Sequence, residues 1–283
     1  MVHMQRLAMF FALFRRFSAI AAILVSASVL SSCALTPPTK SEIEEQDHQS
    51  RLSQIMRIAN TTAAGGDMNS AAGLYRRGHQ LAPENTAPLI GLCQTLLALG
   101  SYAQATQAFG KAVQLEPGNT EALYGYGKGL TALDRPQDAT KQFEAAVAAD
   151  PTDKRFFNGL GVALDRAGDH DAAQDAYIDG LEIDPDHIGL RNNLAFSMLL
   201  NGEFDDAVAQ FEVISASPLA TLQHRQNLAL GYGLAGRMDE AAAIARRDLS
   251  EAQVRHNLAI YEHLRGLSGS EREKKILGRR DGG

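Results

Sequence analysis

The sequence contains no tryptophan, and aromatic residues make up only 6% of its 283 positions. A β-rich core, which draws on aromatic and β-branched side chains, is therefore a poor fit, and the abundant alanine and leucine favour closely packed helices. Cysteine is nearly absent, with Cys33 and Cys93 alone, so no disulfide framework exists. Positive charge is in deficit, with 27 Lys and Arg against 33 Asp and Glu. A net charge of −6 argues against nucleic acid as a partner, because phosphate binding needs a basic face. Long hydrophobic runs are also scarce. Ser18 to Leu30 form an uncharged apolar stretch, which is short for a membrane span and suits the h-region of a signal peptide.

The start of the chain completes that pattern. Arg6, Arg15 and Arg16 supply a positive n-region, and the apolar stretch ends in Leu30-Ser31-Ser32-Cys33. This resembles the lipobox of bacterial lipoproteins, in which small residues fit the signal peptidase and the cysteine thiol takes a diacylglycerol by thioether. The competing reading is an ordinary secretory signal followed by a chance cysteine. Arg15-Arg16 lacks the rest of a twin-arginine pattern. Residues 1–32 are thus expected as a signal peptide and Cys33 as the lipidation site. Removing them takes away three arginines and no acid, leaving 24 basic and 33 acidic residues and a net charge of −9. Several acyl chains on Cys33 would anchor the protein firmly to a bilayer. The residue after the cysteine is Ala34 rather than Asp, which by the usual sorting rule implies the periplasmic face of the outer membrane. Cys93 then has no partner and is expected as a small buried packing residue.

Residues 33–50 carry Pro37-Pro38 and the acids Glu42, Glu44, Glu45 and Asp47, and are expected as a flexible tether. An acidic docking motif is the alternative. Residues 268–283, charged and rich in glycine, are expected to be a disordered tail.

Between these ends the sequence repeats. Prolines stand at 83, 117, 151 and 185, and alanines at 71, 105, 139, 173, 207 and 241, always 34 residues apart. Gly66, Gly100, Gly168, Gly202 and Gly236 keep the same interval, with Asp134 standing in once. This period and these residue types resemble the tetratricopeptide repeat (TPR), a helix-turn-helix unit that stacks into an all-α solenoid. The glycine closes the first helix through a left-handed C-cap. In the second helix an alanine and an aromatic lie four residues apart on one face, as Ala71 with Tyr75, Ala105 with Phe109, Ala139 with Phe143, Ala173 with Tyr177 and Ala207 with Phe211. Gly78, Ala112, Ala146 and Gly180 follow three residues later and let the next unit approach. About six units are expected over 51–267, the sixth departing from the pattern at Ala245 and Asp248. Arg225-Gln226-Asn227-Leu228-Ala229 recurs after only 30 residues as Arg255-His256-Asn257-Leu258-Ala259, so Ala252 to Leu267 reads as a solitary capping helix.

No residue constellation suggests catalysis, a metal or a cofactor. Gly125-Tyr126-Gly127-Lys128-Gly129 looks like a phosphate loop, but it falls inside a first helix with no strand before it. His256 and His263 could share a helix face, with Glu262 next to the second, but metal ligands more often fall at i and i+4 with a third partner, so the pair reads as a solvated face. His170 occupies the slot of Tyr102 and Phe204 and reads as a replacement for an aromatic. The reading is a non-enzymatic protein-binding module whose working surface is the concave groove lined by first helices. Repeat phase places Tyr124, Asn158, Asn192 and Gln226 in that groove, with Lys128 and Phe196 one turn further along. A ladder of amides offers donors and acceptors to an extended peptide backbone, and the competing reading is that these positions are merely solvated. Asn193 and Asn227 read as bonds internal to a repeat.

Within Arg225 to Leu267 the chain reads NLALGYGLAGRMDEAAAIARRDL from Asn227 and VRHNLAIYEHLRGL from Val254. This resembles the C-terminal region of the TadD family, the TPR lipoproteins of the tight-adherence (Flp pilus) assembly and secretion system. The resemblance implies a periplasmic assembly factor for pilus machinery, acting on the outer-membrane secretin, and brings no catalytic residues with it. The alternatives are a pilotin of type IV pili and an adaptor for peptidoglycan hydrolases or proteases. Self-association stays open.

Overall fold

The computed structural model describes residues 39–278, and the expected signal peptide and lipidation site Cys33 lie outside them. The described residues form fourteen α-helices: α1 Lys40–Ala64, α2 Met68–Leu81, α3 Thr86–Ala98, α4 Tyr102–Leu115, α5 Thr120–Ala132, α6 Pro136–Ala149, α7 Lys154–Ala167, α8 His170–Ile183, α9 Ile188–Asn201, α10 Phe204–Ala216, α11 Leu222–Leu234, α12 Met238–Ala245, α13 Glu251–Arg265 and α14 Gly269–Ile276. Each helix from α2 to α12 packs on the next one along the chain, the order of a TPR solenoid.

The repeat chemistry appears where the 34-residue interval placed it. The second-helix alanines 71, 105, 139, 173, 207 and 241 are all fully buried. Their aromatic partners Tyr75, Phe109, Phe143, Tyr177 and Phe211 are buried beside them. The ring of Phe143 shows why small residues recur in the first helices. It lies between Gly127 of its own repeat and Gly159 of the next, where an added Cβ would come within 2.7 and 2.4 Å of ring atoms. The phosphate-loop look of residues 125–129 has the same cause. Gly125 faces the Phe109 ring, Gly127 the Phe143 ring and Gly129 the side chain of Thr106. The turns between the helices of a repeat are left-handed at Gly66, Gly100, Gly168, Gly202 and Gly236, and Asp134 adopts φ 56° at the equivalent place.

Adjacent first helices touch one another in the series α3, α5, α7, α9 and α11. Among the described residues no such contact joins successive second helices, so the stack curves with its first helices inside. That curvature makes the groove.

Two stretches differ from expectation, and a third, the sixth repeat, shows how its departure is closed. The segment expected as a tether is helical from Lys40 onward. Thr39 and Glu42 cap it reciprocally, with Thr39 N–H donating to Glu42 at 2.6 Å and Glu42 N–H to the Thr39 hydroxyl at 3.3 Å. A helix already started by packed residues needs no buried face to extend outward to such a cap. In the sixth repeat α12 is short, ending at Ala245 after eight residues, and Asp248 lies beyond it. This carboxylate accepts from Arg225 at 2.6 and 2.8 Å, closing the repeat as Asp184 does with Lys154 and Glu116 with Thr86. Ala245 leaves α12 without an aromatic, and the capping helix supplies one: Tyr261 lies against Gly233, 2.5 Å from where a Cβ would stand. Finally, the expected disordered tail contains α14, closed by a capping box of Ser268 and Glu271.

Candidate functional site

The groove is built from first helices, so the residues one helical turn apart on α5, α7, α9 and α11 decide what it can hold. The expected site residues fall into three clusters.

Tyr124 and Lys128 sit at the N-terminal part of the groove on α5. The Tyr124 ring packs against Phe143 and Phe156, with ring centres 5.9 and 5.6 Å apart. Two cations cover it, Lys128 at 5.4 Å and Arg155 at 5.3 Å from the ring centre. Such contacts are favourable because the ring face is electron-rich. Arg155, which the sequence reading did not single out, is held by Asp153 at 2.6 Å and by Glu121 at 2.5 Å. Those two carboxylates push its pKa upward, and burial pushes the Tyr124 hydroxyl upward. Lys128 remains exposed. This end therefore holds a covered aromatic ring, an arginine already paired with two carboxylates, and the exposed Lys128.

Asn158 and Asn192 belong to a continuous chain of amides. Gln223 donates to Asn227 at 2.9 Å, Asn227 to Asn192 at 2.9 Å and Asn193 to Asn158 at 2.9 Å. A longer contact of 3.5 Å from Asn192 to Asn193 joins the two halves. This corrects the reading of Asn193 and Asn227 as internal to their repeats, since each bonds to the repeat before its own. The register explains it. Bonded partners are 35 residues apart, one more than the period, so each amide meets the neighbour of its own equivalent. The doublet Asn192-Asn193 is what allows one chain of bonds to cross two repeat boundaries. A carboxamide has two N–H donors, and Gln223, Asn227, Asn192 and Asn193 each use one of them in the chain.

Phe196 and Gln226 lie beyond the amides. Phe196 is half-buried against the C-terminal core. Gln226 lines a cleft of about 680 Å³ between α11 and the capping helix α13. Gln223, Asn227, Gln253, His256 and Asn257 give this cleft polar walls, and Leu230, Leu249 and Tyr261 give it an apolar floor. His256 thus lines this cleft.

One buried polar cluster has the residue types of a hydrolase triad without its geometry. Asp165 accepts from His170 Nδ1 at 2.9 Å, from Tyr177 OH at 3.0 Å and from the Ser197 hydroxyl at 2.6 Å. The serine is bound to the carboxylate instead of the imidazole, and it is fully buried. No nucleophile can form this way. The cluster instead ties α7, α8 and α9 together. His170 fills the aromatic slot as expected and adds this bond, which holds its pKa above the ordinary histidine value. Cys93 is buried, and burial pushes its thiol up to about 12.

A tetratricopeptide repeat family model matches residues 96–161 and 166–218. No curated protein matches the sequence. Among solved structures, the chain is similar to pilF of Pseudomonas aeruginosa, at TM-score 0.62 and 14% identity over 75% of this chain and 99% of that one. It is similar to MamA of Desulfovibrio magneticus RS-1, at TM-score 0.54 and 24% identity over 57% of this chain and 92% of that one. It is also similar to YrrB, at TM-score 0.52 and 18% identity over 65% and 96%. At these identities the likeness shows the fold alone, a TPR solenoid, whose repeats form protein-interaction scaffolds.

Proposed function

We propose that this TPR chain is a periplasmic scaffold that holds an extended segment of a partner protein in its groove. We further propose that it serves assembly of the tight-adherence (Flp) pilus machinery, acting on the secretin, while lipid on Cys33 anchors it to the outer membrane. The observation that carries the binding role is the amide chain from Asn158 to Gln223, continuous across α7, α9 and α11 and followed by an open cleft. A backbone in extended form needs regularly spaced donors and acceptors along one line, which that chain offers. The exposed Lys128 at the other end favours an acidic or carboxylate-bearing residue there. YrrB, of the same fold, is described as having an unusual peptide-binding site; a peptide in the groove of this chain is our reading.

The pilus assignment rests on the resemblance of residues 225–267 to the TadD family, and the localisation on Leu30 to Cys33 and Ala34. Crosslinking in living cells, followed by purification of the lipidated protein and mass spectrometry, tests it. Enrichment of a secretin, together with loss of the secretin multimer on deletion, supports the role. A type IV pilus secretin in that position would instead identify a pilotin. Enrichment of cell-wall hydrolases or a protease would overturn the pilus reading and make the chain an adaptor for a different machine.

A further inference from the structure

Helix α14 leaves the path of the solenoid. After α13 ends, the chain turns back along the edge where the two helices of each repeat join. Arg265 lies beside the Gly236 turn of the sixth repeat. The Arg272 guanidinium stacks over Phe204, 4.8 Å from the ring centre, just past the Gly202 turn of the fifth. Glu273 places a carboxylate oxygen 3.8 Å from His170 Nε2, just past the Gly168 turn of the fourth. Ile276 adds an apolar contact with the C-terminal core. Helix α14 therefore touches two successive turns, and Arg265 at the end of α13 touches a third.

Its hold is light. None of its residues is buried, and eight residues are too few for a stable helix in isolation. Helix formation and docking are consequently a single equilibrium. We propose that α14 is a pH-gated strap, docked across the fourth and fifth repeats while His170 is protonated and released when His170 is neutral.

The charges around His170 set the direction. From α7, Asp165 bonds Nδ1. Nε2 is buried without a hydrogen-bond partner and looks toward Glu273 of α14. From α9 comes the uncharged Ser197, which donates to Asp165. On the histidine's own helix, Tyr177 also donates to Asp165, Asp169 caps Ala172 N–H and Asp171 accepts from Asn201. Arg272 is engaged with Phe204. The Asp165 bond is the largest cause of the upward pKa shift, and Glu273 adds to it. Asp165 stays in place whether or not α14 is docked, so the Glu273 contribution is the part linked to docking. A raised pKa means stabilisation that is complete below the ordinary value of about 6.5 and lost as pH rises through the raised one. Docking takes up a proton, and release gives it back. The strap crosses the fourth and fifth repeats, whose first helices carry Asn158 and the Asn192-Asn193 doublet, so its release frees the angle that sets the spacing of those amides. This inference does not depend on which ligand the groove holds.

Hydrogen exchange read by mass spectrometry on the full chain tests it, at about pH 6 and about pH 8.5 with rates corrected for intrinsic exchange. Segment 268–278 should lose protection by about three-fold in its opening equilibrium at the higher pH, the size of a partly exposed ion pair, while segment 190–200 keeps its protection. Glu273→Gln should abolish the pH dependence. Arg272→Ala should lower the protection at both pH values and leave the dependence intact. Equal protection of 268–278 at both pH values, no protection at either, a parallel loss in 190–200, or a surviving pH dependence in Glu273→Gln would each overturn the proposal.

Discussion

Asn227 donates its side-chain N–H to the Asn192 carbonyl oxygen at 2.9 Å, across the boundary between the fifth and sixth repeats. The bond makes the amides that we propose as recognition elements part of what fixes one repeat against the next. On that proposal binding and repeat geometry are coupled through the same atoms, and a substitution in the chain of amides should register in both.

Asn193→Ala removes the donor to Asn158 and the acceptor for Asn192. Two modest hydrogen bonds predict a loss of about 1–2 kcal/mol in urea unfolding. Asn193→Asp is a finer probe, because it keeps an acceptor and loses the donor to Asn158. Both variants should retain the parental circular dichroism and capture less partner protein. Full capture by both would show that the amides serve the fold alone.

Gly180→Leu should destabilise by about 1–3 kcal/mol through overpacking. Even a Cβ at this position would meet Leu190 at 3.1 Å and Phe157 at 3.2 Å, where the fourth and fifth repeats stack. Thermal melting of the purified variant is the check, and an unchanged melt would mean that the repeat phase is misassigned.

The repeat phase was legible because nearly every marker acts locally. A proline stop, a glycine turn and an alanine beside an aromatic each do the same job every 34 residues, so position alone reveals them. The amide chain was half legible. Asn158 and Asn192 follow the period, but the bonds run at an interval of 35, which shows only when the doublet Asn192-Asn193 is read as a bridge between two registers. Arg155 escaped notice because its partners, Glu121, Asp153 and the Tyr124 ring, come together only when α5 and α7 pack. Helix α14 carried no readable sign of docking. Its hold depends on a guanidinium over a ring 68 residues away in sequence, Arg272 on Phe204, and on one carboxylate near a histidine.

Tyr261→Ala should cost about 3–5 kcal/mol, the usual penalty for truncating a buried aromatic. Its ring covers Gly233 and closes the last apolar face. Because solenoid repeats depend on their neighbours, the loss should appear first as faster amide exchange in α11–α13, spreading from the C-terminal end. Uniform destabilisation of all repeats would contradict the capping role of α13.

Cys93 should stay silent toward a thiol reagent at about pH 8 while the protein is folded, because its pKa lies near 12 and only the thiolate reacts. Labelling should begin at the denaturant concentration that unfolds the second repeat. Rapid labelling of native protein would place the thiol at the surface, against its burial beneath α4.

The central claim is that the groove, and not the outer face of the solenoid, receives a protein of the pilus machinery. A photo-crosslinking amino acid at Gln226 in the groove and at the exposed Glu144 of α6 separates the two faces directly. The account predicts secretin adducts in living cells from position 226 and none from 144. Equal adducts from both faces, or adducts at 226 with cell-wall hydrolases alone, would contradict it.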